Sequence, residues 1–221
     1  MVISASFFSG GKESVYALYK ALEMGLNVKY LIYCHYNFPR ISPHTLNMDM
    51  IRVEAKLIGI PLIECYPEKG LEMEFLRGLL MKLGVDAVVG GDIYLIDHYN
   101  WLEKLCSSIG VKCIEPLWIS DEDKSRNILI DEVRSGMEAM ICGVKSKLNG
   151  GLIGKIINRD FLNSFLDYCS LKNIDPCGER GEYHTIVLKS PLYKKSIQIL
   201  NYKIIENEDY IYIKVDNYEV L

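Results

Sequence analysis

Six residues near the N-terminus, Ser9-Gly10-Gly11-Lys12-Glu13-Ser14, bring together two hydroxyls, two adjacent glycines, an ammonium and a carboxylate. They follow the apolar run Val2-Ile3-Ser4-Ala5-Ser6-Phe7-Phe8 and precede Val15, Ala17, Leu18, Ala21 and Leu22 at helical spacing. A strand, a turn of small residues and a helix N-terminus make an anion site. Glycines let the backbone approach a ligand, while the first helical N–H groups are unpaired and lie at the positive end of the helix dipole. The chemistry this predicts is phosphate binding. The Walker pattern is excluded, because it needs a glycine where this chain has Ser6.

A second cluster stands near the other end, in Asp175-Pro176-Cys177-Gly178-Glu179-Arg180-Gly181-Glu182-Tyr183-His184-Thr185. Glycines at 178 and 181 let an acidic loop fold tightly, which would gather Glu179, Glu182, His184 and Thr185. Read alone, the same stretch is a solvated acidic turn leading into the strand Ile186-Val187-Leu188. The N-terminal turn, however, resembles the PP-loop of the N-type ATP pyrophosphatases, within the adenine nucleotide alpha hydrolase-like superfamily. With Gly-Glu-x-Gly-Glu-Tyr-His-Thr near the C-terminus, the chain resembles the diphthine–ammonia ligase family. His44-Thr45, Gly59-Ile60-Pro61-Leu62, Gly91-Asp92-Ile93, Glu103, Cys106 and Pro116-Leu117-Trp118 fall in matching order.

That resemblance implies an ATP-dependent amide synthesis. A carboxylate of diphthine on translation elongation factor two would attack the α-phosphorus of ATP, releasing pyrophosphate. Ammonia, arriving as ammonium, would then displace AMP from the acyl-adenylate. The implied cofactors are ATP and Mg2+. Ser9, Gly10, Gly11, Lys12, Glu13 and Ser14 would hold the pyrophosphate part. Backbone from Tyr33 to Tyr36, with His35, would meet the adenine, and Gly91 and Asp92 would lie at the same edge. Lys12, Glu179, Glu182 and Thr185 are the implied catalytic set. The two glutamates would position ammonium, the acceptor or a metal, and Thr185 would donate to a carboxylate or phosphate. No protein ligand set for a resident metal is expected. Two departures stand out. Glu13 replaces the aspartate usual in the turn, and Leu95, Asp97, His98 and Trp101 stand where many diphthine ligases resemble Ser-x-Tyr-Gln-x-x-Arg. The second change leaves a related amidoligase acting on a corrinoid or other carboxylate as one alternative, and a nucleotide-binding module without turnover as another.

The elements that must position these residues alternate along the chain. Val28 to Cys34 reads as a strand, His35 to Asn47 as a polar loop, Met48 to Ile58 as a helix and Pro61 to Cys65 as a strand. A helix over Leu71 to Leu83, a brief strand at Ala87-Val88-Val89, a helix over Leu95 to Ile109 and a strand at Lys112 to Glu115 follow. Repeated β–α units predict a parallel sheet with helices on both faces and ligands beyond the carboxyl ends of its strands. The turn after the first strand, the loop after the second and Gly90-Gly91-Asp92 should then face one pocket. Farther on, the patterns predict a helix over Asp121 to Gly136, a strand at Met140 to Val144 and a loop over Lys145 to Gly154. A helix over Asp160 to Leu171 and terminal strands around Ile197, Ile199 and Tyr210 to Val215 complete the chain. The fold class is α/β: a parallel-sheet Rossmann-like (HUP/PP-loop) nucleotide-binding domain at 1–118 with a smaller C-terminal α+β domain at 119–221, an acceptor-recognition part that packs closely against the first.

Composition bounds the rest. A net charge of −4 argues against a nucleic-acid partner, and no apolar run approaches a membrane span. The N-terminus lacks a basic region before its apolar stretch, so a cytoplasmic protein is expected, with a homodimer allowed. Seven cysteines without a C-x-x-C pair predict reduced thiols rather than a zinc ribbon or cluster. His98 reads first as a surface or packing histidine and the two tryptophans as core, while His35 and His44 sit beside the expected nucleotide edge.

Overall fold

The computed structural model describes residues 2–35, 42–148 and 151–221. Tyr36, part of the polar loop after the second strand and the middle of the 145–154 loop lie outside the described residues. The first half alternates β1 (Ile3–Phe7), α1 (Lys12–Glu23), β2 (Asn27–Cys34), α2 (Pro43–Leu46), α3 (Met48–Ile58), β3 (Leu62–Cys65), α4 (Glu72–Leu83), β4 (Ala87–Val89), α5 (Ile96–Ser107) and β5 (Lys112–Ile114). All pairings among these strands are parallel, in the order β3-β2-β1-β4-β5. The chain winds outward from β1 through β2 to β3, then returns to place β4 on the other side. The strand order therefore reverses beside β1, and a crevice opens there at the carboxyl ends.

Both faces of this sheet are covered, as the near-continuous apolar strands demand. On one side Ala5, Ile32 and Val88 pack with Leu76 and Leu80 of α4 and Leu102, Leu105 and Cys106 of α5. On the other, Leu31 and Val89 join Val15 and Leu18 of α1 in a core that continues into the second half of the chain.

That half contains α6 (Ser125–Arg134), β6 (Glu138–Lys145), β7 (Ile156–Ile157), α7 (Leu162–Lys172), β8 (Tyr183–Lys189), β9 (Ile197–Glu206) and β10 (Tyr210–Val220). Its sheet is antiparallel, with β6 central between β8 on one side and β10 and β7 on the other. The predicted helix over Asp121 to Gly136 is shorter, opening as a 3-10 turn at Glu122–Lys124 that Asp121 caps through the Asp123 amide. The short α2 and β7, and the extension of β8 back to Tyr183, were not expected from the pattern. None of the seven cysteines is in a disulfide.

The two sheets are stapled by one buried side chain. Asn47, between α2 and α3, donates from Nδ2 to the carbonyls of Pro43 and Ile213, each at 2.8 Å, and accepts the Val215 amide at 2.8 Å. Met50 and Leu57 of α3 then pack on Met140, Ile186 and Ile213. An Asn47→Ala variant orphans three backbone groups and is expected to lose about 2–4 kcal/mol of stability. Urea titration should show a lowered midpoint with an unchanged slope.

Candidate active site

The phosphate turn hangs from the carboxyl end of β1, at the crevice. Gly10 adopts φ +75°, and a Cβ there would stand 2.6 Å from Oε2 of Glu54, so glycine is required both for conformation and for space. Glu54 is fully buried beneath the turn, and burial pushes its carboxyl well above the usual range. The hydroxyls of the turn bond one another. Ser14 Oγ donates to the Gly11 carbonyl at 2.9 Å and accepts the Ser9 amide at 3.2 Å, while Ser9 Oγ accepts the Gly11 amide at 3.3 Å. The turn is thus fixed before any ligand arrives.

Around it opens a cavity of about 690 Å³. Its wall takes Ser9, Gly11, Glu13 and Ser14 from the turn, Tyr33 from β2, and Gly91 and Asp92 from the end of β4. The acidic segment adds Glu179, and β8 adds His184 and Thr185. The three loops expected at the carboxyl edge therefore do share one pocket. Thr185 Oγ1 accepts the Lys12 amide at 3.1 Å, and the Val187 amide donates to the Gly10 carbonyl, so β8 of the second sheet closes directly on the turn.

Some expected residues lie elsewhere. Lys12 is 1% exposed and does not line the cavity, although Glu13, Cys177 and Tyr183 beside its ammonium do. It donates to the Cys177 carbonyl at 3.0 Å, pairs with Glu13, lies 3.7 Å from Oε2 of buried Glu132 and sits 5.3 Å from the Tyr183 ring centre. Gly10 supports the turn from behind rather than lining the pocket. Glu182 is buried, and its Oε1 accepts the Asp175 amide at 3.4 Å, a brace within the loop rather than a group facing ligand. Its placement follows from β8 beginning at Tyr183, which ties residue 182 to the sheet through Lys145 N. His35 stacks on Tyr66 at 4.2 Å, and its Nε2 lies 3.1 Å from Glu64, on the outer side of β2 and away from the cavity wall.

Other residues enter that had weaker signals. His98 and Trp101 of α5 line the cavity; His98 does so as an exposed side chain, as read, whereas Trp101 is not in the core. His98 Nδ1 lies 2.9 Å from Asp92, and that hydrogen bond raises its pKa. Trp101 is 36% exposed. Trp118, by contrast, packs on Tyr99 with ring centres 4.5 Å apart. His44 and His184 meet edge to face at 5.5 Å within the wall. Both stood in motifs of the sequence, His44 in His44-Thr45 beside the expected nucleotide edge and His184 inside the acidic segment.

Carboxylates dominate the far wall. Glu179 Oε2 accepts the Ile93 amide at 3.2 Å, and Glu179 N donates to Asp175 at 2.8 Å. Burial, then the charge of Asp92, raises the Glu179 carboxyl to about 7. Behind it Glu115 Oε2 accepts the Asp92 amide at 3.1 Å, and burial, then Asp92, raises Glu115 to about 9. A Cβ on Gly90 would lie only 2.1 Å from Glu115 Oε1, so the missing side chain makes room for this acid. Among the described residues no group of three or more His, Cys, Asp or Glu side chains is arranged to hold a metal.

A parallel five-stranded sheet with a rigid anion turn at its reversal point, closed by a second sheet, defines a nucleotide-binding protein of the α/β class. The diphthamide synthase N-terminal domain model matches residues 2–113, and the C-terminal domain model matches residues 125–221. The chain belongs to the diphthamide synthase family. It is 27% identical to a diphthine–ammonia ligase of Schizosaccharomyces pombe over 94% of its own length, spanning 38% of that longer protein. To those of Danio rerio and Homo sapiens it is 26% and 25% identical, covering 86% and 87% of this chain and 84% and 81% of theirs. Among solved structures, a U34-tRNA thiolase of Methanococcus maripaludis aligns at 14% identity over 60% of this chain and 57% of its own, with a TM-score of 0.40. A protein described as a predicted tRNA methyltransferase subunit of Methanocaldococcus jannaschii aligns at 13% identity over 86% of this chain and 98% of its own, with a TM-score of 0.41. Among the described residues, no helix is long and apolar enough to cross a membrane.

The buried charges make two predictions. Glu132→Leu leaves the Lys12 ammonium short of a partner and should cost about 3–5 kcal/mol, with Lys12→Met/Glu132→Leu recovering most of it in urea unfolding. Glu115 keeps its proton in the folded state up to about 9, whereas the unfolded chain loses it near the ordinary value of 4.5. Folding therefore takes up a proton between those values, and this group's contribution to stability falls as pH rises through that window. Glu115→Gln should flatten the fall in Tm between pH 5 and pH 9.

Proposed function

We propose that this protein is an ATP-dependent amidoligase that converts diphthine on translation elongation factor two to diphthamide. The observation that carries this reading is the single cavity in which the phosphate turn, Thr185 and the raised carboxyl of Glu179 face one another. The family to which the chain belongs, and the names of its relatives, support the choice of reaction. In the first step a diphthine carboxylate oxygen forms a bond to the α-phosphorus of ATP while the bond to the pyrophosphate oxygen breaks. In the second, ammonia forms a C–N bond to the acyl carbon, AMP leaves, and the nitrogen sheds a proton.

This chain's residues divide the work. Amides at the start of α1 and the turn hydroxyls bind the departing pyrophosphate, stabilising charge that grows as the bond breaks. Tyr33, with its hydroxyl 3.0 Å from Thr45, borders the adenine side. Thr185 holds the Lys12 amide in place and meets the transferred phosphoryl group. Glu179, with a pKa near the working pH, accepts the proton that the attacking nitrogen loses. Lys12 acts as an anchor for the turn rather than as a phosphate ligand. Asp92 and Glu13 face the same space, and Mg2+ characteristically takes one or two carboxylates together with substrate phosphates, so these residues fit such an ion. The ion would neutralise phosphate charge. We assign the nucleotide mainly to residues 1–118, with β8 reaching its phosphates, and acceptor recognition to the rest of 119–221 together with the His98 and Trp101 side of α5.

The test is incubation with magnesium-ATP, ammonium and diphthine-bearing elongation factor two, reading AMP and the mass change of amidation on the factor. AMP formed only with the factor, together with amidation, supports the reading. Bound ATP with neither product removes it. Glu179→Gln should leave ATP affinity near that of the parent and slow amide formation on the order of 10²-fold. The parent rate should rise with pH through about 7 as Glu179 ionises, a limb that the variant lacks.

A further inference from the structure

A cavity that receives a triphosphate is here walled by acid. Glu13, Glu72, Asp92 and Glu179 all line it, and among the described residues of its wall there is no lysine or arginine. The ammonium of the phosphate turn is engaged by the Cys177 carbonyl, Glu13 and Glu132. Of the four histidines in the chain, three line the cavity. His98 is committed to Asp92 at the α5 side. His44 and His184 stand at the turn itself. Their rings meet at 5.5 Å, and His44 Cε1 lies 3.3 Å from where a Gly11 side chain would begin. His184 directly precedes Thr185, which receives the Lys12 amide. His44 Nδ1 is buried and without a hydrogen-bond partner among the described residues. Buried polar atoms left in that state are uncommon, and a ligand is one ordinary reason for them.

We propose that His44 and His184 are the side-chain phosphate ligands of this site, donating ring N–H groups to phosphoryl oxygens and gaining a proton between them as the phosphates enter. The inference rests on the nucleotide reading of the cavity given above. Before binding, both rings are neutral. Burial, then the neighbouring His184, holds His44 down to about 3, and burial, then Lys145 and Lys12, holds His184 down to about 4. Among the described residues the groups acting on the pair are the Ser9 backbone of the turn, Lys145 of β6 and Lys12 of α1, with Thr185 next to His184 in β8 and the Tyr210 ring of β10 6.4 Å from it. A polyphosphate brought against them replaces two repelling ammonium neighbours with an attracting anion as the nearest charge, which favours imidazolium. The filled site thereby acquires positive charge where the phosphates lie.

The experiment is titration calorimetry of the full chain with ATP, inorganic pyrophosphate and adenosine at pH 6.5, each in two buffers of different ionisation heat. His44→Gln and His184→Gln should each weaken ATP and pyrophosphate about tenfold or more and leave adenosine unchanged, a split that general damage to the fold would not give. The parent should also take up more protons per ATP than the double variant; the protonation of ATP itself is common to both and cancels. If His44→Gln does not fold, His184→Gln carries the same readings alone. Parent-like pyrophosphate affinity in the variants, or equal proton counts, would overturn the assignment while leaving the nucleotide reading intact. Failure of the parent to bind either ATP or adenosine would instead bring down that reading, and this inference with it.

Discussion

One buried charge organises this molecule. The Lys12 ammonium lies in the interior, and an ion removed from water must find both an opposite charge and acceptors for its protons. It finds them on three separate stretches of chain: Glu13 on its own helix, Glu132 on α6 and the Cys177 carbonyl of the acidic segment. Burial still pushes the Glu132 carboxyl up despite this neighbour, so the pair constrains the fold more than it stabilises it. Because the three partners must converge on one atom, α6 and the 175–183 segment cannot drift relative to α1. The cavity wall that these elements share is thereby held in place.

The acidic segment gains its rigidity from the same convergence. Tyr183 Oη donates to the Pro176 carbonyl, Tyr210 Oη to the Gly181 carbonyl at 2.9 Å, and Cys177 Sγ to the Ser125 carbonyl at 3.2 Å. Arg180 pairs with Glu122, and Lys145 Nζ reaches the Arg180 carbonyl at 2.9 Å. Such a loop braces Glu179 from several sides, and its half-buried carboxyl owes its basicity to that poorly hydrated position. The price of the arrangement is a set of carboxyl groups held away from their preferred charge state, with Glu54, Glu115 and Glu179 all raised by burial.

Much of the parallel half was legible because its signals are local. The helix Met48–Ile58 and the strand Ala87–Val89 fall at their expected bounds, each punctuated by glycine at its C-terminal end. The phosphate turn was readable because small residues between a strand and a helix admit few other structures. What escaped depends on partners distant in sequence. Nothing near Lys12 announces Glu132 or the Cys177 carbonyl, so a lysine in a phosphate turn was expected to face phosphate. Glu182 was grouped with Glu179 because they share a short loop, but the strand beginning at Tyr183 turns the second acid inward. His35 was drawn away by Glu64 and Tyr66, on and just beyond the adjacent strand β3. The cavity face of α5 was hidden for the opposite reason. Leu102, Leu105 and Cys106 satisfy its core contacts, so Trp101, expected in the core, stands with the surface residue His98 on the side that lines the cavity.

The wall of the cavity is drawn from widely separated parts of the chain, near residues 7–14, 32–34, 42–45, 72, 90–102 and 177–185. In evolutionary terms, the two halves of this protein are a single heritable unit. A recombination event anywhere between residue 46 and residue 176 would join one ancestor's phosphate turn to another's acidic segment, separating the Lys12–Glu132 or the Thr185–Lys12 partnership from the sequence that shaped it. New specificities in such a protein should arise by substitution along the cavity wall, with the halves descending together, rather than by exchange of modules.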